Sequence, residues 1–156
     1  MRPAFYDSIE PYLEAKRMSN VRIRDSFKTP LIVEVMPSGK KFRLFKQFTY
    51  NWKGYDGGVK IAVPVGFVTD FASIPPIARL IIPKLGKWNK PAVIHDYIYQ
   101  NHNVDISPHK SYIFNRWLAD RIFLDGLEDS GVVKWKRYLM YWGVRLFGWL
   151  AWKERR

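Results

Sequence analysis

The run AVIHDYIYQNH, residues 92–102, sets His95 beside Asp96 and puts Tyr99 one helical turn beyond His95. On a helix, His95 and Tyr99 then share a face, while Asp96 points about a quarter-turn away. An imidazole that faces a neighbouring helix can be oriented by a carboxylate there. Asp120, in RWLADRIF with Arg116 one turn earlier, is the expected donor of that carboxylate. The chemistry of such a pair is general-base removal of a proton from water, and it leaves Asp96 to hold a cation. The same residues have plainer uses. Asp120 can pair with Arg116 or Arg121, and Asp70 in Thr-Asp-Phe-Ala-Ser can serve as a cap or turn residue. Glycine-rich phosphate loops and a Ser-His-Asp constellation are absent from the sequence.

The elements that must position these residues give an α+β domain spanning 1–156. Residues 1–20 are expected to form an arm or short helix, with Pro3 and Pro11 limiting its length. Residues 21–70 read as a small antiparallel β meander: LIVEVM, a turn at Pro37-Ser38-Gly39, KFRLFKQFTY with a slip in its alternation, a turn at Tyr55-Asp56-Gly57-Gly58, then VKIAVPV. A Pro-punctuated loop over 71–90 leads to the helical core, 91–156. The first helix runs from Pro91 to about Asn103, and the polar stretch NVDISPH separates it from the second. That second helix is expected from Lys110 to Leu127, with Ile113, Trp117, Leu118, Ile122, Phe123 and Leu127 on its apolar face, and Asp129-Ser130-Gly131 closes it. The short connection makes these two helices antiparallel. A third, aromatic helix from Val132 to Lys153 spaces Trp135, Trp142 and Trp149 seven residues apart. Trp135 and Trp142 are expected in the core, and Trp149 and Trp152 at a surface that meets membrane or a partner. His102 and His109 are expected as exposed loop residues.

With 156 residues and 47% apolar content, the chain can bury a core without staples, and 26 Lys and Arg against 14 Asp and Glu leave it at +12. That balance favours anionic partners: an acidic lipid surface, an acidic protein or nucleic acid. Nucleic acid ranks last, because the basic run KKFRLFK fits a strand with one solvated face and no recognised nucleic-acid motif accompanies it. The absence of Cys excludes disulfides, thiolate metal sites and a cysteine nucleophile. Acids and prolines interrupt the N-terminus where a signal peptide needs an apolar stretch, and no run approaches the ~20 apolar residues of a membrane span. The expectation is a soluble or peripheral protein without a transmembrane segment.

The motif His95-Asp96-x-x-Tyr99 resembles the active-site helix of the secreted phospholipase A₂ superfamily, particularly its bacterial branch. RWLADRIFLDGL is similar to that branch's second helix, and KRYLMYWGVRLFG to its closing aromatic helix. VTDFAS resembles the bacterial calcium loop. The resemblance implies a calcium-dependent ester hydrolase in which Asp70, the backbone of Phe71 and Asp96 hold calcium, His95 is the base, Asp120 orients it and Tyr99 supports the pair. The chain departs from the superfamily in lacking the cysteines that brace the two helices and in the loop between Asp70 and His95. A second resemblance, through VPVGFVTDFASIP, AVIHDYIY and ADRIF, is to a small uncharacterised family common in tailed bacteriophages and prophages. It implies a phage product, in the virion or in the host cytoplasm during infection, with anionic phospholipid of the host envelope or other virion proteins as partners. The alternative to an enzyme is a virion component of the tail or portal region that keeps the His-Asp helix pair as scaffold.

Overall fold

The computed structural model describes residues 26–27, 29–54, 58–71, 81–107 and 110–152. The expected N-terminal arm, most of the 55–58 turn, residues 72–80 of the 71–90 loop, His109 and the last four residues lie outside them. The architecture is α+β, with antiparallel strands followed by helices. The strands are β1 (Val33–Val35), β2 (Phe42–Leu44), β3 (Phe48–Trp52), β4 (Val59–Val63) and β5 (Val68–Thr69).

These strands do not form one meander. They split into a three-stranded sheet ordered β1-β2-β5 and a two-stranded β3-β4 sheet. The slip after Leu44 is where the chain leaves the first sheet. Leu44 accepts from the Gly66 amide at 2.9 Å and donates to the Phe67 carbonyl at 2.8 Å, so the β4–β5 connection takes the edge that β3 would have occupied in a meander. In β4 the alternation predicts the burial: Val59, Ile61 and Val63 face inward and oppose Trp52, Tyr50 and Phe48 of β3. The polar tips of this sheet find partners at the far end of a helix. Trp52 Nε1 donates to Asp125 at 3.0 Å and Tyr50 Oη to Asp129 at 2.9 Å.

The helices are α1 (Asn89–Asn101), α2 (Arg116–Asp129) and α3 (Lys134–Phe147), the last continued by a 3₁₀ turn, Gly148–Leu150. Helix α1 starts two residues before Pro91 and ends at His102, whose φ of 51° turns the chain out of the helix. Beyond it, the expected polar connection and early second helix are corrected to a hairpin of β6 (Asn103–Ser107) and β7 (Lys110–Ile113), and Ile113 is 78% exposed. The helix waits for Asn115, whose side chain accepts from the Leu118 amide at 2.8 Å as an N-cap. At its other end Gly131, with φ 69°, donates to the Glu128 carbonyl, and Val132 to that of Leu127.

Helices α1 and α2 are antiparallel: Pro91 lies against Gly126 near the end of α2, the His95 ring against Phe123, and Tyr99 against Asp120 one turn earlier still. Their main core joins the strands through Phe48, Ile61, Val93, Ile98 and Ile122. Helix α3 packs on a second core formed by Ile82, Trp88, Ala92, Phe123, Leu127 and Val132, and Met140 is its one buried residue. The expected burial of Trp135 and Trp142 is not found: they are 56% and 57% exposed, because the stripe of α3 that faces the body is Met140 and Val144.

Gly126 sets the α1–α2 distance, since a Cβ there would lie 2.8 Å from Pro91 Cβ. Gly126→Val is expected to destabilise by about 1–3 kcal/mol through overpacking, and Gly126→Ala to yield none of the ~1 kcal/mol that Ala offers over Gly in a helix. Denaturant unfolding checks both; a stabilised Gly126→Ala would refute the close approach.

Candidate functional site

Asp120, wholly buried, is where the three helices meet. Its Oδ1 lies 2.9 Å from His95 Nε2 and accepts from Tyr99 Oη at 2.5 Å, both on α1. Its Oδ2 accepts from Arg145 Nη1 of α3 at 2.6 Å, and Arg116 Nη1, from its own helix, lies 3.7 Å away. Arg116 also donates to the Arg145 carbonyl at 3.0 Å, which ties the two arginines together. Burial pushes the Asp120 carboxyl up, but the hydrogen bond and charge of His95 and the hydrogen bonds of Tyr99 and Arg145 outweigh it and hold it below its ordinary value. Burial first, then the charge and hydrogen bond of Asp120, push the Tyr99 phenol far above its usual range, so it stays a donor.

An ionised carboxylate only accepts, so the nitrogen of His95 that faces it carries the proton. The lone pair of the neutral imidazole is then on Nδ1. The ring is held on both sides, with Tyr99 at 4.0 Å and Phe123 at 4.9 Å between centroids.

Asp96 points away from this pair, as its position on the helix predicts, and meets the end of β5. Thr69 Oγ1 donates to Asp96 Oδ2 at 2.5 Å and accepts from the Phe71 amide at 3.0 Å, and the backbone of Asp70 also bonds to the Asp96 carboxylate. Burial, with a smaller contribution from the charge of Asp70, pushes Asp96 up to about 6, although Thr69 and His95 pull it down. Phe71 adopts a φ of 62°, and its side chain is buried against Phe42.

His95, Asp96, Tyr99 and Asp70 line one cavity of about 410 Å³, with Lys41 and Gln100 among its polar residues. The opposite wall is apolar and comes from α3 and the turn after it: Leu139, Met140, Val144, Phe147 and Gly148. Gly148 is required there, because a Cβ would fall 2.5 Å from Tyr99 Oη. The structure thus brings four of the six expected site residues to one cavity, with Asp120 behind His95. Phe71 does not line it, and its contribution to a cation site is confined to its backbone. Among the described residues no three of His, Asp and Glu converge on one point, so a cation would rest on Asp70 and Asp96 completed by carbonyl and water oxygens. That all-oxygen donor set suits a hard cation such as calcium.

The parts played by Thr69 and Arg145 are not among the sequence expectations. Thr69 directly precedes Asp70, and its hydroxyl at a strand end is the signal that points to it; for Arg145 the signal is a lone charge inside an apolar helix stretch. The plainer reading of Asp120 holds beside the chemical one, since it pairs with Arg116 as well as His95, whereas Arg121 pairs with Asp125. His102 is not a bare loop residue: its ring stacks on Trp152 at 4.0 Å.

Stability should report these contacts. Arg145→Met is expected to cost about 1–3 kcal/mol by stripping a charge-assisted hydrogen bond from a buried carboxylate, and Arg116→Met less, since its contact is longer. Because the Asp120 pKa is depressed, this contribution is present above the ordinary carboxylate pKa and is lost as pH falls through the folded value; urea unfolding at pH 7 and pH 3 would register it. Asp96 has the opposite sign. In chelator its protonated form stabilises the fold, an effect present below about pH 4 and lost as pH rises through about 6. Asp96→Asn should therefore exceed wild type by about 2–3 kcal/mol at pH 7.5 and come close to it at pH 4. Equal stability at both pH values would contradict this account.

No curated protein and no solved structure matches the chain. A family model does, over residues 42–144, a span that holds every site residue named above except Lys41 and the residues after Val144, and stops one position short of Arg145. The family is described as a protein of unknown function, DUF1353, and the chain belongs to it.

Proposed function

We propose that the protein is a calcium-dependent, phospholipase-like ester hydrolase. The observation that carries this reading is a histidine oriented by a buried aspartate in a cavity that is also lined by the carboxylates of Asp70 and Asp96 and has an apolar wall. In this reading Nδ1 of His95 takes a proton from water as the water adds to an ester carbonyl. Asp120 holds Nε2–H, fixes the tautomer and stabilises the imidazolium that forms; Tyr99 and Arg145 hold Asp120. The imidazolium then returns the proton to the departing alkoxide, so that ester and water give acid and alcohol. Calcium would be held by Asp70, Asp96 and the backbone of Phe71, and when bound it supplies a positive charge for the developing oxyanion and for a phosphate. The apolar wall of α3 suits an acyl chain, and Lys41 an anionic head group.

The resemblance to tailed-phage proteins supports a target in the host envelope and a place in the virion or the infected cell's cytoplasm. One observation favours a second reading, a virion component of the tail or portal region. Asp120 binds groups from all three helices and would be needed for folding without any reaction.

Titration calorimetry with calcium is expected to give binding that Asp70→Asn and Asp96→Asn each abolish, and that weakens as pH falls below about 6, where Asp96 takes up a proton. Hydrolysis of phosphatidylglycerol should fall about 100-fold or more in His95→Asn with the fold intact. A well-folded chain that binds no calcium and cleaves no ester would leave the scaffold reading.

A further inference from the structure

Helix α3 is apolar on two sides. Met140 and Val144 face the protein, while Trp135, Tyr138, Trp142 and Leu146 face outward, each between 44% and 61% exposed. The exposed run continues past the helix with Trp149 and Leu150 at 63% and 65%. An exposed apolar patch of this extent marks a surface that something covers. Trp135, Trp142 and Trp149 are spread along roughly 20 Å of chain.

The charge beside this face has one sign. From Val132 to Lys153 the sequence carries Lys134, Lys136, Arg137, Arg145 and Lys153 and no acidic residue. Arg137 and Arg145 are committed inward, to Glu128 at 2.9 Å and Asp120 at 2.6 Å. Lys134 is exposed, and Lys136 lies over the Trp135 ring at 5.4 Å, so cation and aromatic share one surface. Tryptophan flanked by lysine is the composition that sits at the boundary between lipid head groups and acyl chains. Leu139 and Phe147 are 38% and 53% exposed and also line the cavity, so the cavity opens at the edge of this same face. Among the described residues no helix is long and apolar enough to cross a membrane, which leaves a surface-lying contact as the geometry for this one.

We propose that the outer face of α3 and the turn after it dock on an anionic lipid surface, Trp142 and Trp149 entering the head-group boundary and Lys134 and Lys136 meeting lipid phosphates. The contact needs neither calcium nor His95, and so stands or falls apart from the hydrolase reading.

The test is co-sedimentation of the full chain, in chelator and at fixed ionic strength, with vesicles of phosphatidylglycerol and phosphatidylcholine mixed equally, against vesicles of phosphatidylcholine alone. Binding is expected to the mixed vesicles, with a blue shift of tryptophan emission and loss of affinity as salt rises. Trp142→Ser with Trp149→Ser should lower the partition by about tenfold or more, and Lys134→Glu with Lys136→Glu should do so on anionic vesicles. Trp142, Trp149 and Lys134 are exposed, so their variants should keep the wild-type unfolding midpoint; Lys136 is half-buried and also lies over the core Trp88 ring at 5.7 Å, so Lys134→Glu alone, expected to weaken binding to anionic vesicles in the same direction, stands in if the pair shifts that midpoint. Three results would overturn the proposal: no binding by the folded wild type, equal binding to both vesicle types, or a dimer that the Trp variants dissolve in a chain that ignores vesicles. The last would assign the face to a second copy.

Discussion

A carboxylate with no access to water persists in a protein only if it is fully partnered, and Asp120 meets that condition by drawing on every helix around it. Helix α1 contributes an imidazole and a phenol, α3 a guanidinium, and α2 a second guanidinium from the preceding turn. Each donor fixes the position of the helix that carries it. The close approach at Gly126 brings the α1 donors within reach, and the 3₁₀ turn at Gly148 leaves room for the phenol. The result is an imidazole with a defined tautomer at the wall of a cavity, a product of electrostatic satisfaction as much as of hydrophobic packing.

The second carboxylate of the site is under the reverse condition. Asp96 is held where burial and Asp70 both disfavour its charge, with a hydroxyl and a backbone amide as its polar support. One aspartate is thus stabilised as an anion behind the histidine, while another, adjacent to that histidine in sequence, is left with an affinity for protons or cations. Environment separates two identical side chains, and each is set by a different neighbour: α1 and α3 for the first, the end of β5 for the second.

Much of this is legible in the sequence, and the physical reasons separate the readable from the hidden. His95, Tyr99 and Asp96 follow from helical periodicity, which is local. Asp120 needs one assumption, that two helices with a short connection run antiparallel. The hairpin over 103–113 escapes a sequence reading because Ile113 falls in register with the apolar residues of α2, and one strand residue at the right spacing passes for another helical turn. The actual start signal, Asn115, is a single side chain. The meander fails for a non-local reason, because which strand takes the edge of β2 depends on Gly66 and Phe67, far along the chain. For α3, periodicity finds the Trp stripe and takes it for the core face; that the opposite choice is made, with Met140 inward, follows from the pull of Arg145 on Asp120.

The hydroxyl of Thr69 has one proton, and it is given to Asp96, while its oxygen receives the Phe71 amide. Serine could reproduce this pair of bonds; valine, the same shape, could reproduce neither. The hydroxyl therefore joins the end of a β-strand to the charge state of a helix residue: a change at position 69 alone would take a hydrogen bond from the carboxylate at 96 and from the bend at 71 at once, so one side chain sets both the proton affinity of the site and the path of the chain leaving the sheet.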